Sequence, residues 1–179
     1  MGALLNFVGF QIVWVLAVGG AAKGLWWPGL AGLLVYAVVQ LLLSKWPLAD
    51  LLLMLSACVV GCLADTLLIQ LGLLAYANPV PFPSLAPAWI AFLWLAFALT
   101  INHSMSWLKG RWMLAVLFGL IGGPLVFWLA ERYWAAVRIA EPKWQGLLAL
   151  GIEWALMTPL LLLMAAFFMR RFGPARTAD

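Results

Sequence analysis

The stretch AWIAFLWLAFALTINHSMSWLKGR, residues 88–111, decides the fold. From Ala88 to Leu99 its only polar atoms beyond the backbone are the indole nitrogens of Trp89 and Trp94. Carried on to Leu108, the run approaches the ~20 residues that cross a ~30 Å hydrocarbon core. It is interrupted by Thr100-Ile101-Asn102-His103-Ser104, which holds the only histidine of the chain, and Lys109-Gly110-Arg111 then turns it at a membrane surface.

The same signature recurs on both sides of this stretch. Of 179 residues, 67% are hydrophobic and 9% charged, and the mean hydropathy is +1.08. That leaves too little polar surface to coat a soluble globule. The reading is an all-α, polytopic membrane bundle in a single domain, with about six transmembrane helices near 4–19, 28–44, 48–74, 88–108, 112–130 and 144–169. Pro28 suits the first turn of the second span. Four prolines between Asn78 and Pro87 make that segment a loop. Nine of twelve tryptophans fall near span ends, where indole prefers the headgroup level; only Trp14, Trp94 and Trp154 lie clearly inside.

Lys and Arg counts set an expected orientation. With the N-terminus inside, the inner segments carry Lys45, Lys109, Arg111, Arg170, Arg171 and Arg176, against Lys23, Arg132, Arg138 and Lys143 outside. This bias places both termini in the cytoplasm. Juxtamembrane basic residues account for the net charge of +4, so no nucleic-acid partner is called for. Cys58 and Cys62, four apart on one helix, read as small packing residues rather than a disulfide or metal pair.

Ionisable residues inside a span need a reason, and the candidates are Asp65, His103 and Glu153. On a continuous helix, Thr100, His103, Ser104 and Trp107 share one face and Asn102 points nearly opposite. His103 reads either as a proton-handling or headgroup-binding residue, or as a neutral imidazole bonded to a neighbouring helix. With Asn102, Ser104, Asn6, Gln11 and Asp65 it makes a candidate polar pocket. Asn6 and Gln11 lie ~140° apart on the first helix, so at most one of them points squarely into it.

Depth separates these groups. At 1.5 Å per residue Asp65 sits ~21 Å from the inner face and His103 only ~8 Å, too far apart for a direct hydrogen bond. Glu153 matches Asp65 at ~21 Å, which predicts a buried carboxylate pair sharing a proton. Gly122-Gly123-Pro124 predicts a helix break in the fifth span, serving as a kink beside the polar interior or as a packing notch. No metal-ligand spacing, nucleotide loop or nucleophile elbow is present, so no metal or cofactor is expected and catalysis is left open.

Leu5-Asn6-Phe7 with Gln11 and Trp14, Asp65, Asn102-His103-Ser104 with Trp107, and Gly122-Gly123-Pro124 together resemble a bacterial inner-membrane family catalogued as domain of unknown function 2878. Order and spacing agree over nearly the full length, and Glu153 lies outside that pattern. The resemblance implies a small multi-pass protein of the cell inner membrane with no assigned activity, in a family often encoded near lipid-modifying enzymes. Two functions are carried forward. One is binding or modification of a lipid-like amphiphile in a polar pocket near the cytoplasmic leaflet. The other is a non-catalytic component, a transporter subunit or a scaffold, with membrane-protein partners.

Overall fold

Prolines and turn residues set the helix ends in the computed structural model, which describes residues 2–172. Arg176 of the orientation count lies outside the described residues. The order is α1 (Ala3–Ala22), α2 (Trp27–Leu43), α3 (Pro47–Gln70), β1 (Leu74–Tyr76), α4 (Ala88–Ile101), a 3-10 turn (Ser106–Leu108), α5 (Trp112–Trp134), β2 (Val137–Ile139) and α6 (Lys143–Phe172). Pro28 and Pro47 sit in the first turns of α2 and α3, where a missing N–H costs nothing. Gly72, at φ +69°, turns the chain out of α3 and lets the Leu73 N–H reach the Leu68 carbonyl at 3.0 Å.

Four helices, α1, α3, α5 and α6, are long and apolar enough to cross a membrane; α2 and α4 are shorter apolar helices. The short α4 is the axis. It packs against α1, α2, α3 and α6, and nine of its fourteen residues are buried. Around it run α2, α1, then a gap, then α5, α6 and α3. The gap exists because α1 and α5 meet only lightly, whereas α5 and α6 share the most extensive helix contact.

Glycines explain that contact. A Cβ on Gly119 would lie 2.0 Å from the Trp154 carbonyl oxygen, and one on Gly123 would lie 2.3 Å from the Trp154 ring. Only hydrogen at these positions lets the two backbones approach so closely. The expected break at Gly122-Gly123-Pro124 does not occur: α5 runs unbroken from Trp112 to Trp134 with Pro124 inside it. Pro124 removes one N–H, but the Leu120 carbonyl it would have served faces Gly151 of α6, whose added Cβ would stand 3.2 Å away. Protein therefore covers the freed acceptor, and the notch serves packing.

Two further expectations are corrected at helix ends. The third span, expected to reach Leu74, stops at Gln70 and gives way to β1, which pairs antiparallel with β2 (Leu74 opposite Ile139, Tyr76 opposite Val137). The fourth span, expected to run helically to Leu108, stops at Ile101. Beyond it the chain descends in tight turns, His103 N–H to Thr100 O at 3.0 Å and Ser106 N–H to His103 O at 3.2 Å. Non-helical backbone at this depth is tolerated because its N–H groups find acceptors, the Ser104 N–H reaching Asn6 Oδ1 and the Met105 N–H the Thr100 carbonyl. The Pro-rich loop caps the strand end of the bundle: Ala86 N–H bonds Thr66 Oγ1 at 3.0 Å and Trp89 Nε1 bonds the Ala77 carbonyl at 3.0 Å.

Candidate functional site

Asp50, in the first turn of α3 and 1% exposed, is the centre of the polar cluster at the His103 end. Its Oδ1 accepts from Asn102 Nδ2 at 2.7 Å. Its Oδ2 accepts from Ser44 Oγ at 2.6 Å and lies 2.9 Å from His103 Nε2. Lys109 Nζ donates to Asn102 Oδ1 at 2.8 Å and closes the cluster on its outer side.

This arrangement corrects the helical-face expectation. Asn102 and His103 were expected to point nearly opposite ways, yet both bind one carboxylate. The 100° rule applies only within a helix, and α4 has ended before either residue. The predicted separation of His103 from Asp65 is a separate matter: His103 takes Asp50 as its partner, and no hydrogen bond joins it to Asp65.

Asn6 forms a second hub and is fully buried. Its amide N–H groups are shared among Tyr36 Oη at 2.8 Å, Gln40 Oε1 at 2.9 Å and the Leu99 carbonyl at 3.1 Å. Its Oδ1 accepts from Ser104 Oγ at 2.6 Å and from the Ser104 backbone N–H at 3.2 Å. One amide thus ties α1, α2, α4 and the turn after α4 together, each bond worth about 0.6 kcal/mol on average in a membrane bundle.

Between α1 and α5 lies a cavity of about 400 Å³, within the ~300–1,000 Å³ of small-molecule sites. Its wall is aromatic: Phe7, Phe10 and Trp14 from α1, Trp94 and Phe97 from α4, Phe118 and Phe127 from α5, and Trp154 from α6. Thr100, Ser104, Met105 and Trp107 line one end, and Asp65 lies in the wall beside Trp94. Of the candidate pocket residues, Gln11, Ser104 and Asp65 reach this wall; Asn6, Asn102 and His103 stand behind it. Gln11 and Asn6 part company because their positions on α1 diverge, as the helical spacing predicts.

Asp65, 1% exposed, accepts from Trp94 Nε1 at 2.6 Å and from the Tyr76 hydroxyl. Gly61 makes this possible. A Cβ there would lie 2.1 Å from the Trp94 ring, so only glycine lets the indole settle one turn below Asp65 on α3. Trp94 then stacks on Trp154 at 5.0 Å between centroids and 19° between planes.

The proton-sharing pair expected of Asp65 and Glu153 is not hydrogen-bonded. Both Asp65 oxygens are taken by Tyr76 and Trp94, and neither Glu153 oxygen has a hydrogen-bond partner. Equal depth along two helices does not fix rotation about them, and Glu153 is turned so that it does not line the cavity. The residue that sequence reasoning missed is Asp50. Its signal was a carboxylate one turn inside a helix opened by Pro47, which reads by itself as an ordinary first-turn acid.

Five apolar helices around a buried central one, with carboxylates and amides tied together inside, define a polytopic integral membrane protein. Residues 3–160 match the family described as Protein of unknown function (DUF2878), and the chain belongs to it. No curated protein and no solved structure matches.

Proposed function

We propose that the protein holds the apolar part of a lipid-like amphiphile in the cavity between α1 and α5. The observation that carries this is the cavity itself: aromatic along its length, with Gln11, Thr100, Ser104 and Asp65 as its polar groups, and set where α1 and α5 meet only lightly. An acyl or similar chain entering from the bilayer would meet Phe7 and Phe118, which are 51% and 39% exposed. Burying such a chain exchanges lipid contacts for protein contacts, so the gain rests on shape and on those polar groups rather than on the hydrophobic effect. The Asp50 and Asn6 clusters act as braces that fix Ser104 and Trp107 at one mouth. The Lys and Arg distribution supports placing that mouth at the cytoplasmic face of a cell inner membrane.

A second reading, a non-catalytic component such as a transporter subunit or scaffold, draws support from His103, which is closed onto Asp50 instead of facing the cavity.

The test is photo-crosslinking with a diazirine-bearing palmitoyl lipid in reconstituted membranes. The expected label falls on α1 and α5 around Phe7, Phe118 and Gly122. Gly122 has only Phe118, at 3.9 Å, near an added Cβ, so Gly122→Phe fills space without displacing backbone and should abolish that label. Label spread evenly over the lipid-facing side of α2, at Leu34 and Leu42, would sink the cavity reading.

A further inference from the structure

The part of the cavity wall where Asp65 lies has no positively charged side chain among the described residues. Asp65 accepts one bond on each oxygen, and each oxygen of an ionised carboxylate has room for a second. The indole of Trp94 can only donate, so Asp65 Oδ2 is held as an acceptor. Glu153, 8% exposed and without a donor on either oxygen, precedes on α6 the Trp154 whose ring stacks on Trp94. Among the described residues Asp50 is met by His103 and Glu131 by Lys143, and neither Asp65 nor Glu153 has a Lys, Arg or His within ion-pair distance. Carboxyl groups buried so deep are neutralised by a proton or by a cation brought to them. Here one of them forms the wall of a cavity, so a ligand can deliver the charge.

We propose that Asp65 is the recognition site for a protonated amine carried on an apolar chain, with Glu153 adding to the field that favours it. The inference rests on the cavity reading above and names the class of its ligand: a lipophilic amine whose ammonium group donates to Asp65 while its chain runs along the aromatic wall toward Ser104. A charge-assisted bond to a desolvated carboxylate is roughly twice as strong as a neutral one, so an amine is chosen over an alcohol of the same chain. Fatty acids are disfavoured, because a third carboxyl group would be added to Asp65 and Glu153. Trp154 Nε1 has no acceptor, and an alcohol could accept from it while donating to Asp65; that makes the alcohol the competitor that matters.

The experiment uses the full chain in phosphatidylcholine nanodiscs, with tritiated hexadecylamine as the probe and hexadecanol and palmitate as competitors. The unlabelled amine is expected to displace the probe at concentrations about tenfold below hexadecanol, with palmitate weakest. Asp65→Asn should erase that preference while hexadecanol still binds, which also shows that the variant is folded. Glu153→Gln should reduce the preference by less. Tyr76→Phe removes a donor but keeps the carboxylate, and should retain the preference. Equal displacement by amine and alcohol, or an amine preference that survives Asp65→Asn, overturns the proposal and leaves the cavity reading standing. Binding of none of the three chains overturns both.

Discussion

Asp50 and Asp65 lie on the same helix, each 1% exposed and each bonded by a side chain from α4 or the turn that follows it. Their surroundings differ. Asp50 collects three side chains, from Ser44, Asn102 and His103. Asp65 collects two neutral donors and borders a cavity. A buried acid whose oxygens are met by three side chains within the fold is a brace. One that is met in part, beside open space, is a place for something else to bind.

The largest expected effect tests the brace. Asp50→Ala leaves Ser44, Asn102 and His103 without their shared acceptor, and removing one partner of a buried pair costs about 3–5 kcal/mol. Asp65→Asn keeps an acceptor for Trp94, so about 1–2 kcal/mol is expected there. Unfolding in graded dodecyl sulfate, followed by tryptophan fluorescence, measures both. Equal losses at the two positions would erase the contrast between the two carboxylates.

A smaller effect concerns how Asp65 obtains its donor. Gly61 and Gly123 each have an indole lying where a Cβ would go, from Trp94 and Trp154. Because those two indoles stack, the glycines bracket them from α3 and α5. Gly61→Ala or Gly123→Ala must push a ring aside, at about 1–3 kcal/mol each. The change at Gly61 should also weaken amine binding, since Trp94 would lose Asp65; the change at Gly123 should do so less. If both variants are as stable as the parent, the stack is looser than its spacing implies and Asp65 is not held by it.

Much of this was legible from residue types alone. Uniform apolarity gave the membrane class, and Pro28 gave the start of the second helix. Depth counting correctly kept His103 away from Asp65, because rise per residue is nearly constant along helical backbone. Rotation could not be read in the same way. Angular arithmetic failed at Asn102 and His103, where the helix had already ended, and depth alone paired Asp65 with Glu153 without knowing which way either faced. Asp50 escaped notice for a different reason. Its partners come from residues six, fifty-two and fifty-three positions away, and no local pattern marks a carboxylate that distant side chains converge on. The cavity is likewise a gap between α1 and α5, and a gap has no sequence signature of its own.

The smallest effect marks where the brace ends. Lys109 is exposed and donates to Asn102 Oδ1, on the far side of Asn102 from Asp50. In Lys109→Met the Asn102 oxygen can turn to water or headgroups, while its Nδ2 keeps the bond to Asp50. An exposed charged contact of this kind is worth at most about 1 kcal/mol, so a loss of a few tenths is expected in the same detergent titration. Asn102→Ala should cost more, because it takes a donor from a buried carboxylate. Should Lys109→Met cost as much as Asp50→Ala, the ammonium must be carrying part of the compensation now credited to Ser44, Asn102 and His103. Asp50 would then depend on a surface charge, and the distinction between a brace closed within the fold and a site open to a ligand would have to be redrawn at the membrane boundary.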